Sequence, residues 1–188
     1  MNPVSKVMYE YINKIANLQK FELSNKLQNI EMFIYAVSCF LIPFFIAQPQ
    51  LLVGTVVNSI LILSSLNLQK HRLLPVIILP SLGVLAQGMI FGPFTVFLIY
   101  FIPFIWIGNT VLVLGFKYLH LHKKVNYLRT LVISSSLKAL FLFAVAFALY
   151  KLSIVPVIFL TAMGAMQLVT ALSGGFVAFA ANGIRQKQ

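Results

Sequence analysis

Residues 130–150 read TLVISSSLKALFLFAVAFALY. The run is apolar enough and long enough to cross a bilayer as one helix, which takes about 20 residues. It holds a single charged residue, Lys138. The chain has three acidic residues, Glu10, Glu22 and Glu31, and all lie within the first 31 positions. No carboxylate later in the sequence can pair with this lysine, so its place in the fold needs another explanation.

Working outward, the same texture recurs. The chain is 60% apolar and 9% charged over 188 residues, against about 25% charged in soluble domains. The class is an all-α polytopic membrane protein. Hydropathy predicts six transmembrane helices at 32–48, 51–67, 73–91, 95–116, 128–150 and 157–182. The first two are short for a bilayer and fit a tilted or locally thinned setting. Pro49 and Gly92-Pro93 punctuate two of the turns. Three regions follow: a cytoplasmic amphipathic helical segment at 1–31, a transmembrane domain at 32–182 and a cytoplasmic tail at 183–188. The polar, basic leading segment does not read as a removable signal peptide.

Val4, Met8, Tyr11, Ile15, Leu18 and Leu27 recur at helical spacing in residues 3–31, with lysines between them. This predicts an amphipathic helix on the cytoplasmic face of the membrane, where lysines suit anionic headgroups. A helix docking a cytoplasmic partner is the other reading. With six alternating spans, Lys6, Lys14, Lys20, Lys26, Lys70, Arg72, Lys117, Lys123, Lys124, Arg129, Arg185 and Lys187 fall on one side and Lys151 on the other. Basic residues accumulate in cytoplasmic loops, so both termini are expected in the cytoplasm.

Composition also narrows the chemistry. The net charge of +11 is dispersed among short loops, not gathered on a contiguous nucleic-acid-binding face. One cysteine, Cys39, makes neither an intrachain disulfide nor an iron–sulfur cluster, which takes about four ligands. His120 and His122, two apart, point to different sides of a helix and read as solvated loop residues. Nothing here calls for a cofactor or a metal. Without an intramembrane acid, paired histidines or a base beyond Lys138, an enzyme is not expected, nor is proton-coupled transport by this chain alone.

Intramembrane polar residues carry the remaining signal, because they are costly in lipid and face bundle interiors or water-filled cavities. At about 1.5 Å per residue, Lys138 lies roughly 12 Å from the inner end of its span and Gln167 roughly 15 Å from the outer end of its own. Asn58 lies seven residues in from Leu51. The three therefore approach the midplane together. Ser134 and Ser135 precede Lys138 by four and three positions and share its face. Gln87, Tyr100 and Asn109 complete the candidate set. The expected role of these eight residues is to bind a small, anionic solute. The competing structural readings have Lys138 snorkelling to the inner headgroups, losing its proton, or bonding to carbonyls freed by Pro103. Gly164, Gln167, Ala171, Gly174 and Ala178 form a small-residue stripe suited to close helix packing.

Two stretches, GPFTVFLIYFIPFIWIGN at 92–109 and LTAMGAMQLVTALSGG at 160–175, carry a resemblance. In hydropathy and texture over about residues 22–182, the chain resembles the six-helix S components of energy-coupling factor transporters. It also resembles related prokaryotic membrane proteins, some labelled iron hydrogenases, a label that one cysteine cannot support. The resemblance implies a subunit that captures a vitamin-like micronutrient from outside and docks on a transmembrane coupling subunit driven by ATPase subunits. Many S components use Ala-x-x-x-Ala in the first helix for that contact; here Ala36 is followed by Phe40. A non-catalytic membrane assembly partner that binds no solute is the alternative.

Overall fold

A computed structural model describes residues 3–46, 48–88 and 92–185, with the side chains of Pro3, Val4, Gly92 and Pro93 outside that description. Lys187 and the end of the predicted third span lie outside the described residues. All regular structure among the described residues is helical. The main elements are α1 (Pro3–Ala16), α2 (Asn25–Phe45), α3 (Gln50–Asn67), α4 (Leu73–Gln87), α5 (Leu98–Gly115), α6 (Tyr127–Lys151), α7 (Ile158–Met163) and α8 (Ala165–Arg185).

Among the described residues, five helical stretches are long and apolar enough to cross a membrane: Asn25–Phe45, Gln50–Asn67, Phe94–His122, Tyr127–Lys151 and Ile158–Arg185. The fifteen residues of α4 make a rod of about 22 Å, short of a hydrocarbon core of about 30 Å.

Local sequence sets the ends. Ser24 Oγ accepts from the Leu27 amide at the start of α2, and Asn126 Oδ1 accepts from the Leu128 amide at the start of α6. Such caps satisfy donors that lack an intrahelical partner. Gly88 closes α4 at φ 78°, a backbone that glycine adopts without a Cβ penalty.

The leading segment departs from the predicted continuous helix. It breaks between Ala16 and Asn25, and α2 starts seven residues ahead of the expected span. Buried hydrogen bonds fasten the break. Lys20 donates its amide to the Leu66 carbonyl (2.7 Å), and Gln69 Nε2 donates to the Asn17 carbonyl (2.8 Å). Lys117, expected in a solvated loop, is fully buried; its ammonium donates to the carbonyls of Leu18 and of Leu68, the latter at 2.8 Å. This follows from the chain after α5, which continues as a wider π-helical stretch at Phe116–His122 where a loop was expected. His120 Nδ1 lies 2.9 Å from the Val125 carbonyl, and His122 stacks on Tyr118, so neither histidine is merely a loop residue.

Packing is closest where side chains vanish. A Cβ at Gly174 of α8 would lie 2.7 Å from the Thr55 carbonyl oxygen and 2.8 Å from the Ser59 nitrogen of α3. Gly54 of α3 faces Thr170 of α8 in the same way. Ala171, Gly174 and Ala178 are buried there, as a small-residue seam requires. The last span is not one smooth helix: Gly164, at φ −100° and ψ −94°, separates α7 from α8. On α2, Ala36 is buried and Phe40 is half-buried, its carbonyl set tightly against Gly83 of α4.

Two apolar clusters result. One gathers Cys39, Leu61, Val76, Leu112, Phe116 and Leu131; the other Phe101, Leu142, Ala146, Phe159 and Met163. On α5, Asn109 falls between Phe101 and Leu112. On α6, Lys138 falls between Leu131 and Leu142. A polar layer thus separates the two cores.

Candidate functional site

Thr130, Ser134, Lys138, Leu142 and Ala146 follow at four-residue spacing along α6, and all are buried. Lys138 is therefore carried on the inner face of the helix, and only 2% of it is exposed. It stands eleven residues from Tyr127 and thirteen from Lys151, so its ammonium cannot reach either end of α6 with a stem of about 6 Å. It turns sideways instead. Nζ donates to Asn58 Oδ1 of α3 at 2.7 Å and to Asn109 Oδ1 of α5 at 2.9 Å.

Each amide is itself anchored. Asn58 Nδ2 donates to the Gly54 carbonyl (2.9 Å) and to Thr170 Oγ1 (3.2 Å). Asn109 Nδ2 donates to the Ile77 carbonyl of α4 (3.0 Å). Thr170 Oγ1 in turn donates to the Met166 carbonyl at 2.8 Å. One lysine thus ties α6 to four other helices, α3, α4, α5 and α8, through neutral groups. The arrangement fixes the amide orientations: an ammonium only donates, so both Oδ1 atoms must face it. Electrostatically the cation is met by two amide dipoles and no formal negative charge. The ion pair the structure shows, Arg185 with Glu31 at 2.7 Å, joins α8 to the start of α2 instead.

Beside Lys138 lies a cavity of about 100 Å³. Its wall includes Asn58, Asn109 and Gln167, together with Gln50, Ser81 and the helix prolines Pro43 and Pro80. Pro43 lies near the end of α2, Gln50 opens α3, Val84 lies near the end of α4 and Leu98 opens α5. The cavity therefore runs from the bundle centre toward the end of the molecule where these helices terminate, opposite the Lys117 end. The side chains of Gln50 and Gln167 line it without a hydrogen bond inside the protein among the described residues.

Four predicted site residues, Lys138, Asn58, Asn109 and Gln167, converge on this cavity. The others do not line it. Ser134 and Ser135 are fully buried on the same face of α6, but their hydroxyls have no hydrogen-bond partner among the described residues, and Ser134 packs against Gly115. Tyr100 is 52% exposed on the outside of α5. Gln87 is half-buried at the end of α4. Of the structural readings, a lysine bonded to carbonyls freed by Pro103 does not match the partners seen.

Other residues contribute to the site. Gln50 lies just before the predicted second span and so escaped the search for intramembrane polar groups. Thr170, three residues after Gln167 and on its face, was legible as a helper but not as the group orienting Asn58. Trp106 Nε1 donates to Ser81 Oγ at 2.9 Å, placing the chain's one tryptophan behind the cavity wall. Among the described residues no cluster of three or more histidine, cysteine or acidic side chains is placed to hold a metal.

No family model, curated protein or solved structure matches the chain.

Proposed function

We propose that the chain is the solute-capturing subunit of a micronutrient importer, working with a separate transmembrane coupling subunit and ATPase subunits. The observation that carries this reading is Lys138, a mid-helix ammonium held by Asn58 and Asn109 against a cavity. Intramembrane ionisable groups mark solute pathways by default. In this reading the solute is small and anionic, and the chain itself does no chemistry. The protein resides in a prokaryotic cell membrane with six spans, α4 belonging to the third, and with both termini cytoplasmic. The cavity then faces outward, and α1 lies along the inner leaflet with Val7, Met8, Tyr11 and Ile12, all exposed, turned to lipid. Ala36 is buried and the Phe40 backbone lies against Gly83 of α4, so docking on a coupling subunit uses a surface other than that stretch.

Purified protein, analysed by native mass spectrometry, is expected to carry an anionic small molecule. A panel of anionic micronutrients is expected to raise its melting temperature, with the shift lost in Lys138→Met. A clean protein that no panel member stabilises contradicts the proposal.

A second reading, a non-catalytic assembly partner that binds no solute, is favoured by one observation. The cavity of about 100 Å³ is smaller than ligand pockets of about 300–1,000 Å³. Crosslinking in membranes separates the two: an obligate partner unrelated to any coupling ATPase supports the assembly role.

A further inference from the structure

Among the described residues, Lys138 is the one charged side chain lining the cavity. An ammonium has three donors. Asn58 and Asn109 accept two of them. Asn58 spends both of its N–H donors on Gly54 and Thr170, and Asn109 spends one of its two on Ile77. Asn58 therefore offers a guest no donor, while Asn109 keeps one N–H. What remains for a solute is the third ammonium N–H, one Asn109 N–H and the amides of Gln50 and Gln167, which are unpartnered among the described residues. Much of the remaining wall is apolar, with Val57, Val84, Leu98, Ile105 and Met163.

We propose, resting on the solute-capture reading above, that this site takes a single carboxylate carried on an apolar body. One fixed positive charge balances one negative charge. A second negative charge, as on a phosphate monoester or a dicarboxylate, would be buried without a partner, which is costly in a low-dielectric interior. A carboxylate has two oxygens, one for the ammonium and one for a glutamine amide. The cavity volume of about 100 Å³ equals the liquid share of roughly three waters at about 30 Å³ each. That holds the head group and the first few carbons. The rest of the body lies among Pro43, Val84 and Leu98 toward the helix ends, and these side chains demand an apolar one.

The full chain in lipid nanodiscs tests this, with Trp106 emission as the reporter. Four probes share a six-carbon body: hexanoate, hexanamide, hexyl phosphate and adipate. Hexanoate is expected to saturate the signal at a concentration about tenfold or more below hexanamide, as a charge-assisted bond allows. Hexyl phosphate and adipate are expected to bind more weakly than hexanoate. Lys138→Met is expected to abolish the preference. Gln167→Leu, which removes no hydrogen bond of the fold, is expected to weaken hexanoate and leave the melting temperature unchanged. Equal binding of hexanamide, or tighter binding of the phosphate or adipate, overturns the carboxylate assignment while solute capture stands. Saturation by none of the four overturns both.

Discussion

Taking an ammonium out of water is costly, and the cost falls only when other groups take over its hydrogen bonds. At Lys138 two amide oxygens do so. The energetic signature is asymmetric. Asn109→Leu leaves the charge with one acceptor fewer, at about 1–3 kcal/mol of stability. Lys138→Met removes the charge itself and is expected to be close to neutral, or stabilising, as replacement of buried ions often is. In the Lys138→Met background the loss from Asn109→Leu is expected to shrink by more than half, measured as a double-mutant cycle of thermal or denaturant unfolding in detergent. Additive effects would show that the two side chains are not coupled. At this scale the sequence was informative for a definite reason. Depth along an apolar helix can be counted, so Lys138, Gln167 and Asn58 could be placed at a common level. Which way each side chain turns depends on helix rotation, and counting does not supply it. Tyr100 therefore read as a candidate yet points outward, while Gln50 was passed over.

Among the elements, the α3–α8 seam and the fastening of the leading segment are the most exposed to test. Gly174→Ala puts a methyl within 2.9 Å of Asn58 Cβ and closer still to the α3 backbone. Overpacking of this kind costs about 1–3 kcal/mol, and here it also displaces a Lys138 partner. Gly183→Ala meets nothing within 4 Å and is expected to be neutral or slightly stabilising, since alanine is the better helix former. Melting temperatures of the two variants check the contrast; equal effects would remove the seam from the account. Lys117→Met leaves the carbonyls of Leu18 and Leu68 without their donor. The segment between α1 and α2 should then open more often, and trypsin cleavage after Lys14 or Lys20 should speed up by about tenfold or more. An unchanged cleavage rate would mean that Lys117 does not hold that segment. Helix content was legible from hydropathy, but the breaks were not. Gly164 interrupts a run whose composition reads as one helix, and the π-helical stretch after α5 absorbs residues that read as loop, because Lys117 ties it to distant carbonyls and His120 closes its end on Val125.

For the molecule as a whole, composition left little freedom: a chain this apolar buries its backbone polar groups in helices or not at all. Five stretches meet the length and apolarity of a membrane span, and the proposed sixth, at α4, is covered on one side by α2 and on the other by α5. The arrangement of these helices was not legible, since it depends on which small residues meet. Gly54, Gly83 and Gly174 decide the neighbours of α2, α3 and α8, and nothing in their spacing names the partner. The account turns on whether the hollow at Lys138 communicates with the outer face. In a Cys39→Ala background, Lys138→Cys and the outward-facing control Leu140→Cys would be treated, in sealed right-side-out and inverted vesicles, with a membrane-impermeant sulfonated thiosulfonate. The account predicts that the cysteine at 138 is modified from outside and faster than the one at 140. No modification from outside, or modification only from the cytoplasmic side, would contradict it.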